Sequence, residues 1–329
     1  MIALFSRKQC LSYLQIRSTM KGMCMRNFIS SELKFEIPEG YDIGSTVPRS
    51  TIMTAIVGML VILAAGVILF MWVRRREKIN GFGFFGGIAT YMTFYYLGVS
   101  VVANLIIRFM GSNYISILVL ALTAALIPIL GRLLTMKMFS YKMNKAADSL
   151  SFGVGIMASE ALVSAINLLM VYISANTVNK TGVEQLLSSA ETQEEFEQIL
   201  ESIFEIIEYK PAVIIGLAVS AVACMVFHIA VSIPLFAAYQ QKISKGFYAF
   251  CIGTYFAIRL FIYMAGSGFI NVILNMVLVA AGSALFAVTS IRIYKIFYKD
   301  EEKDAPKKGG GSGEPGKKKI PRFENLSKL

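Results

Sequence analysis

Long apolar runs separated by short polar connections occupy the sequence between about residues 50 and 297. A bilayer core about 30 Å thick requires roughly 20 apolar residues in each helix that crosses it. Each such run is predicted to be helical, because in lipid the backbone must satisfy its own hydrogen bonds. The pattern therefore predicts an all-α, polytopic membrane bundle of seven helices. The predicted spans are Ser50–Val73, Gly81–Met110, Tyr114–Phe139, Ala146–Ala175, Pro211–Gln240, Phe247–Ala265 and Gly268–Phe297.

The composition supports this interpretation, because 56% of the residues are hydrophobic and only 16% are charged. A soluble domain usually carries about 25% charged residues. We therefore expect one membrane domain, residues 50–297, between a polar tail (residues 1–49) and a flexible basic tail (residues 298–329). The first tail lacks the apolar core of a signal peptide, and its internal methionines are consistent with an over-long start.

The distribution of Lys and Arg predicts the orientation of the bundle. The connections after the first, third and fifth spans are basic, whereas those between them are neutral or acidic. Cytoplasmic connections carry the excess of basic residues, so we expect the N-terminus outside and the C-terminus in the cytoplasm, in a bacterial plasma membrane. The net charge of +11 follows from this bias and predicts no nucleic-acid partner. The lysine-rich C-terminal tail is predicted to contact anionic lipid.

The acidic segment 176–210 is the longest connection between spans. It contains eight Glu and two Lys, and its apolar residues recur at near-helical spacing. Such a pattern is typical of an amphipathic helix. We therefore predict one or two helices that lie over the outer end of the bundle.

Ionisable side chains inside the spans are the candidate functional groups, because a charge in hydrocarbon is costly and usually faces the bundle interior. Glu160 and His228 lie near the middle of the fourth and fifth spans, so we predict that they meet at similar depth. With Arg132 they form the candidate catalytic set. The residues predicted to line a surrounding polar cavity or seam are Ser164, Asn167, Cys224, Ser232, Asn104, Arg108, Arg259, Asn271 and Asn275.

The same polar residues also have purely structural interpretations. Ser and Asn at helical spacing commonly join helices to one another, and a buried histidine can be satisfied without a function. Arg108 and Arg259 lie toward the outer ends of their spans, where a long side chain can reach the interface. A functional or paired role is the stronger interpretation for Glu160, because an unpaired carboxylate at mid-depth is expensive.

The sequence also excludes several chemistries. There is one histidine in the chain, so an HExxH zinc site is impossible, and we expect neither a metal nor another cofactor. Gly81, Gly83 and Gly86 form a GxGxxG string, but it follows a basic loop instead of a strand, which argues against dinucleotide binding. The seventh span has no mid-membrane lysine for a retinal Schiff base.

Three short motifs resemble those of the YhfC family, a group of bacterial intramembrane peptidases. Gly153-Val154-Gly155 followed by Glu160 is similar to a GxGHGxxE motif. The segment 228–232 is similar to an HxAxS motif, and Gly131-Arg132 resembles the end of an EExGR motif. The resemblance covers residues 73–297 and implies chemistry like that of glutamic-type intramembrane proteases. There a carboxylate activates water, and histidines support the water or the oxyanion.

The departures from these motifs affect the positions that would carry the chemistry. Pro128 and Ile129 stand where the family has paired glutamates, and Ile156 stands where it has a histidine. Neither proline nor isoleucine can activate water. We therefore expect a degenerate member that retains the fold, has lost or altered its peptidase activity, and binds a transmembrane segment or a lipid.

Two alternatives remain open from the sequence. In the first, the chain is an active but divergent intramembrane peptidase, with Glu160 as base and His228 as its partner. In the second, it is a small-molecule or ion transporter that uses Arg108, Glu160 and Arg259 as a pathway.

Overall fold

The computed structural model describes residues 44–111, 113–143 and 145–297. Most of both predicted tails lies outside these residues. The part described forms nine helices and no strand, and seven helices are long and apolar enough to cross a membrane. The predicted all-α bundle is thus confirmed, and the protein is an integral, multi-pass membrane protein. In chain order the helices are α1 (Arg49–Arg76), α2 (Gly81–Met110), α3 (Tyr114–Met138), α4 (Ala146–Thr181), α5 (Val183–Leu187), α6 (Gln193–Ile207), α7 (Pro211–Tyr239), α8 (Gly246–Gly266) and α9 (Val272–Phe297).

Two of the predicted spans differ from the observed helices by more than three residues at one end. Helix α4 continues beyond the predicted end, and α9 begins at Val272 instead of Gly268. Gly268 has a φ of +76°, a left-handed conformation that interrupts helical geometry. The side-chain oxygen of Asn271 then accepts a hydrogen bond from the backbone N–H of Ile273 at 2.8 Å. Asn271 is exposed and caps α9, and its role as a cavity-lining residue stays a prediction.

Helices α4 and α7 form the centre of the bundle. In their most apolar windows 67% and 61% of the residues are buried, against 22% in α1, α2 and α9. Helix α7 packs against α1, α4, α8 and α9, while α4 also packs against α1 and α2. Helix α3 closes the remaining side by packing against α2 and α8. The two helices that carry Glu160 and His228 are therefore the two most enclosed.

Glycines allow α2 and α4 to cross with their backbones in contact. A Cβ at Gly87 would overlap the carbonyl oxygen of Phe152, and a Cβ at Gly155 would overlap the carbonyl oxygen of Phe84. Gly153 faces α7, where a Cβ would lie 2.8 Å from the nearest Cα atom. Small residues permit this close approach of membrane helices. The Gly-x-Gly motif of α4 therefore sets the spacing of three helices.

Helix α2 contains a π-helical segment over Tyr91–Gly98. Its wide turn brings residues four apart almost directly above one another, and the rings of Tyr91 and Tyr95 stack with their centroids 4.7 Å apart. Both side chains are buried. Short π-helical segments occur frequently at functional sites, and this one directs two phenol rings toward the central helices.

Helices α5 and α6 lie against one end of α4. Phe196, Leu200 and Ile203 of α6 pack in one apolar cluster with Ala175 and Val178 of α4. The opposite face of α6 is acidic and exposed, as expected for an amphipathic helix. Its exposed glutamates include Glu194, Glu197 and Glu201. The side of the membrane on which these helices lie stays a prediction from the basic connections.

Replacing Gly87 with alanine is expected to destabilise the protein. The added methyl group would overlap the carbonyl oxygen of Phe152 and push α2 away from α4. Overpacking of this kind costs about 1–3 kcal/mol. The measurement is the midpoint of thermal unfolding, followed by circular dichroism of the full chain in detergent micelles. Gly253→Ala is the matched control, since a Cβ there meets no atom within 4 Å. Equal midpoints for the two variants would contradict the close crossing.

Candidate functional site

Arg132 of α3, Glu160 of α4 and His228 of α7 meet in one buried cluster. Their side chains come from helices that are far apart in the sequence, and their exposed fractions are 1%, 5% and 0%. The cluster therefore consists of charged or polar groups that are removed from solvent. Such groups are stable only if they satisfy one another.

The carboxylate of Glu160 is held by three side chains. Its Oε2 accepts a hydrogen bond from the Tyr91 hydroxyl at 2.8 Å, and its Oε1 accepts one from the Ser164 hydroxyl at 3.2 Å. The Nε2 atom of His228 lies 3.4 Å from Oε2. That distance is longer than a well-formed hydrogen bond, and Nε2 has no better partner among the described residues. Protein donors thus replace the water that a buried carboxylate has lost.

The guanidinium of Arg132 holds the other side of the imidazole. Its Nη2 lies 2.8 Å from Nδ1 of His228, while its Nη1 donates to the His228 carbonyl oxygen at 3.2 Å and to the Ser232 hydroxyl at 2.7 Å. A guanidinium has donors only, so Nδ1 must accept. This network assigns the proton of the neutral ring to Nε2, the atom that faces Glu160. The imidazole therefore bridges a buried cation and a buried carboxylate.

Aromatic rings enclose the imidazole of His228. Tyr95 and Tyr91 present their edges, with centroids 5.5 and 6.2 Å away, and Tyr255 of α8 lies at 6.0 Å. The Tyr255 hydroxyl is 3.5 Å from Nδ1, at the limit of hydrogen bonding. Aromatic rings thus form much of the immediate surroundings of the imidazole, and the low dielectric of such packing strengthens the interactions among the charged groups.

The family relationship follows from the sequence as a whole. The profile of the family described as YhfC intramembrane metalloprotease matches residues 59–281, more than half of the chain. The chain belongs to this YhfC family. The resemblance drawn from the three motifs is thus confirmed, although the family description names a metal-dependent protease and we expected glutamic-type chemistry. No curated protein and no solved structure matches the chain.

The residues present do not fit the metal that the YhfC description implies. A catalytic zinc ion usually has three protein ligands. Within the residues that the structure describes, no group of three or more His, Cys, Asp or Glu side chains could hold a metal ion. Glu160 and His228 supply two donors, and the Nδ1 atom of that histidine already faces the guanidinium of Arg132. A cation in this position opposes metal binding.

The three positions that the motif resemblance predicts to be degenerate lie within one turn of Glu160 or Arg132. Ile156 lies one turn before Glu160 on α4, and Ile129 lies one turn before Arg132 on α3. Both isoleucines are 1% exposed, and Pro128 is also buried. Apolar side chains therefore pack at these three positions beside the cluster.

Six of the other predicted cavity-lining residues are buried or half-buried. Ser164 and Ser232 contact the cluster directly, and Cys224 is buried one turn before His228. Asn275 of α9 donates to Ser220 of α7 at 3.5 Å, so it joins two helices. Asn167 is half-buried, and Arg259 is buried beside the aromatic rings.

Asn104 and Arg108 lie away from the cluster, and their role as cavity-lining residues stays a prediction. Both are exposed on α2, on a different face from Tyr91 and Tyr95. Arg108 lies in the last turn of the helix, where its long side chain can reach the interface. Its charge therefore does not force that face inward.

The tyrosines of the cluster were missed by sequence reasoning, which looked for charged residues and for small polar stripes. Tyr91, Tyr95 and Tyr255 are buried around His228. A signal for them exists, because a buried carboxylate requires donors and a tyrosine combines a donor with an apolar ring. The spacing of four residues between Tyr91 and Tyr95 also places both on one face of α2.

Removing the Tyr91 hydroxyl is expected to destabilise this YhfC protein, because Glu160 then loses its shortest hydrogen bond. Leaving a buried partner unsatisfied costs about 1–3 kcal/mol, and more when that partner is charged. We expect a lower midpoint of thermal unfolding for Tyr91→Phe. Tyr96→Phe is the control, since that side chain is 40% exposed on the same segment and should change the midpoint little. An unchanged midpoint for Tyr91→Phe would show that the Glu160 carboxylate does not depend on this donor.

Proposed function

We propose that this chain is a non-proteolytic member of the YhfC family. In this proposal Arg132, Glu160 and His228 form a closed polar core in place of a metal centre. The observation that carries the proposal is the 2.8 Å contact between the Arg132 guanidinium and Nδ1 of His228. This contact sets a fixed cation against His228, one of the two side chains of the cluster that could ligate a metal.

The burial of the cluster supports the same conclusion. Peptide hydrolysis requires a water molecule near its activating base, but His228 is 0% exposed and Glu160 is 5% exposed. Tyr91 and Ser164 occupy both oxygens of the carboxylate. The hydrogen-bonding capacity of Glu160 is thus directed at neighbouring helices and stabilises the packing of α2, α4 and α7.

The function left to such a member is binding within the membrane. The YhfC description assigns intramembrane proteolysis to the family, so a member without hydrolysis would hold a transmembrane segment of another protein without cutting it. We propose this partner class, and a bacterial plasma membrane as the location. The seven apolar helices are consistent with both.

One observation favours an active, divergent peptidase as a second candidate. Glu160 and His228 lie 3.4 Å apart, a spacing from which the carboxylate could act as a base with the imidazole beside it. This alternative needs water to enter between them. In a proteolysis assay it predicts cleavage by the wild type, whereas the non-proteolytic proposal predicts none above background.

The proteolysis assay compares the wild type with Glu160→Gln, each purified as the full chain and reconstituted in liposomes with reporter transmembrane segments. We expect the same background level of cleavage for both, because the wild type already lacks a working centre. A YhfC protein with complete motifs serves as the positive control under identical conditions. Cleavage by the wild type that the glutamine variant abolishes would refute the proposal and favour the divergent peptidase.

Restoring one donor tests the loss of the metal site directly. A histidine at position 156 would lie one turn before Glu160, so Ile156→His adds a third donor beside His228. Because the Arg132 guanidinium still faces Nδ1 of His228 in that variant, we expect about one zinc ion per chain, the stoichiometry of a three-ligand site, only when Ile156→His is combined with Arg132→Gln, as measured by elemental mass spectrometry. Wild type and Ile156→Gln should retain none. Stoichiometric zinc in the wild type would contradict the non-metal assignment.

A further inference from the structure

Arg259 is a second buried cation beside the cluster. Its side chain is 4% exposed, and its guanidinium carbon lies 4.6 Å from the centre of the Tyr95 ring and 5.6 Å from that of Tyr255. Its Nε makes no hydrogen bond within the described residues. Aromatic faces are thus the observed neighbours of this charge.

The charges around the cluster do not balance. Arg132 and Arg259 are both buried, whereas Glu160 is the one buried carboxylate in this group of side chains among the residues that the structure describes. Arg132 is linked to that carboxylate through His228, as described above. Ring faces attract a cation, but they replace only part of the hydration that a guanidinium loses inside a membrane. Arg259 therefore has no anionic partner in the described part of the chain.

A second unused donor lies in the same place. The Tyr95 hydroxyl is buried and makes no hydrogen bond to any described residue, although the ring of Tyr95 is the one that lies nearest to Arg259. Buried polar groups in folded proteins almost always have partners. A guanidinium can only donate hydrogen bonds, and a phenol hydroxyl donates them readily. Two such groups beside each other point to a missing acceptor that carries negative charge.

We propose that Arg259 and the Tyr95 hydroxyl bind the carboxylate of an apolar acid, such as a long-chain fatty acid, that enters from the bilayer. The guanidinium fork matches a planar carboxylate with two parallel hydrogen bonds. Arg259 lies well inside α8, seven residues from the end of that helix. A phospholipid phosphate stays at the interface, but a fatty acid carries a single polar group and can reach this depth.

This site adjoins the centre considered for proteolysis and shares Tyr95 with the rings around His228, but it uses neither Glu160 nor His228. The assignment therefore stands or falls separately from the proposed loss of hydrolysis. It gives the protein a small-molecule ligand of defined chemistry, a monocarboxylate with an apolar tail.

The probe is dodecanoate, added at pH 8 to the purified full chain in nanodiscs of zwitterionic lipid. Dodecanol is the uncharged comparison, and inorganic phosphate alone is the comparison for a free anion. We expect dodecanoate to bind and to raise the midpoint of thermal unfolding, while the other two have no effect. Arg259→Gln should weaken dodecanoate binding about tenfold or more, as loss of a charge-assisted pair does. Arg108→Gln, which removes an exposed arginine, should not change it.

The variant Arg259→Met separates a ligand site from a structural cation. If the guanidinium lacks a sufficient partner until a ligand binds, replacing it with an apolar side chain of similar size should raise the midpoint of the ligand-free protein. The response to dodecanoate should then disappear. A lower midpoint or failure to fold would overturn the proposal, because the rings would then be sufficient partners for the charge. Equal effects of dodecanoate and dodecanol, or an Arg259-dependent effect of phosphate alone, would also overturn it.

Discussion

The cost of burying charge in a membrane interior governs how this bundle is built. Glu160 cannot lie at the middle of α4 without donors, and the donors come from three directions: Tyr91 from α2, Ser164 from its own helix and His228 from α7. The imidazole in turn requires Arg132 from α3. One carboxylate thereby fixes the relative positions of four helices, which apolar packing in lipid would hold less specifically.

The same requirement applies to the cluster whether or not it performs chemistry. With apolar Ile156 and Ile129 packed beside it, its polar groups must satisfy each other or leave the interior. The contacts of Arg132 to the ring, to the His228 carbonyl and to Ser232 meet that requirement. A polar cluster in a membrane is therefore weak evidence for catalysis by itself, and its donor set and the access of water decide the matter.

Much of the fold could be predicted from the sequence, because bilayer thickness sets the length of each apolar run. The approach of Glu160 to His228 was also predictable, since both are ionisable and lie at mid-span. Which residues of α2 face the bundle interior was not predictable from the rule that polar side chains in a span point inward. Asn104 and Arg108 are polar yet exposed, and the long side chain of Arg108 near the helix end can reach the interface. Tyr91 and Tyr95 are amphipathic yet buried. Their spacing places them on one face, but the π-helical segment that contains them has no clear signal in the residues. The absence of a described acid opposite Arg259 follows from tertiary packing and could not be read from spacing.

The backbone contact between α2 and α4 has a wider consequence for recognising relatives of this protein. Gly87 and Gly155 are required by geometry whether or not the neighbouring side chains can hydrolyse a bond. Selection for a foldable bundle would then preserve the small residues of a motif long after selection for turnover has ceased. Similarity searches weighted by such residues will group enzymes with inactive descendants, so the positions that separate them are the bulky ones between the glycines.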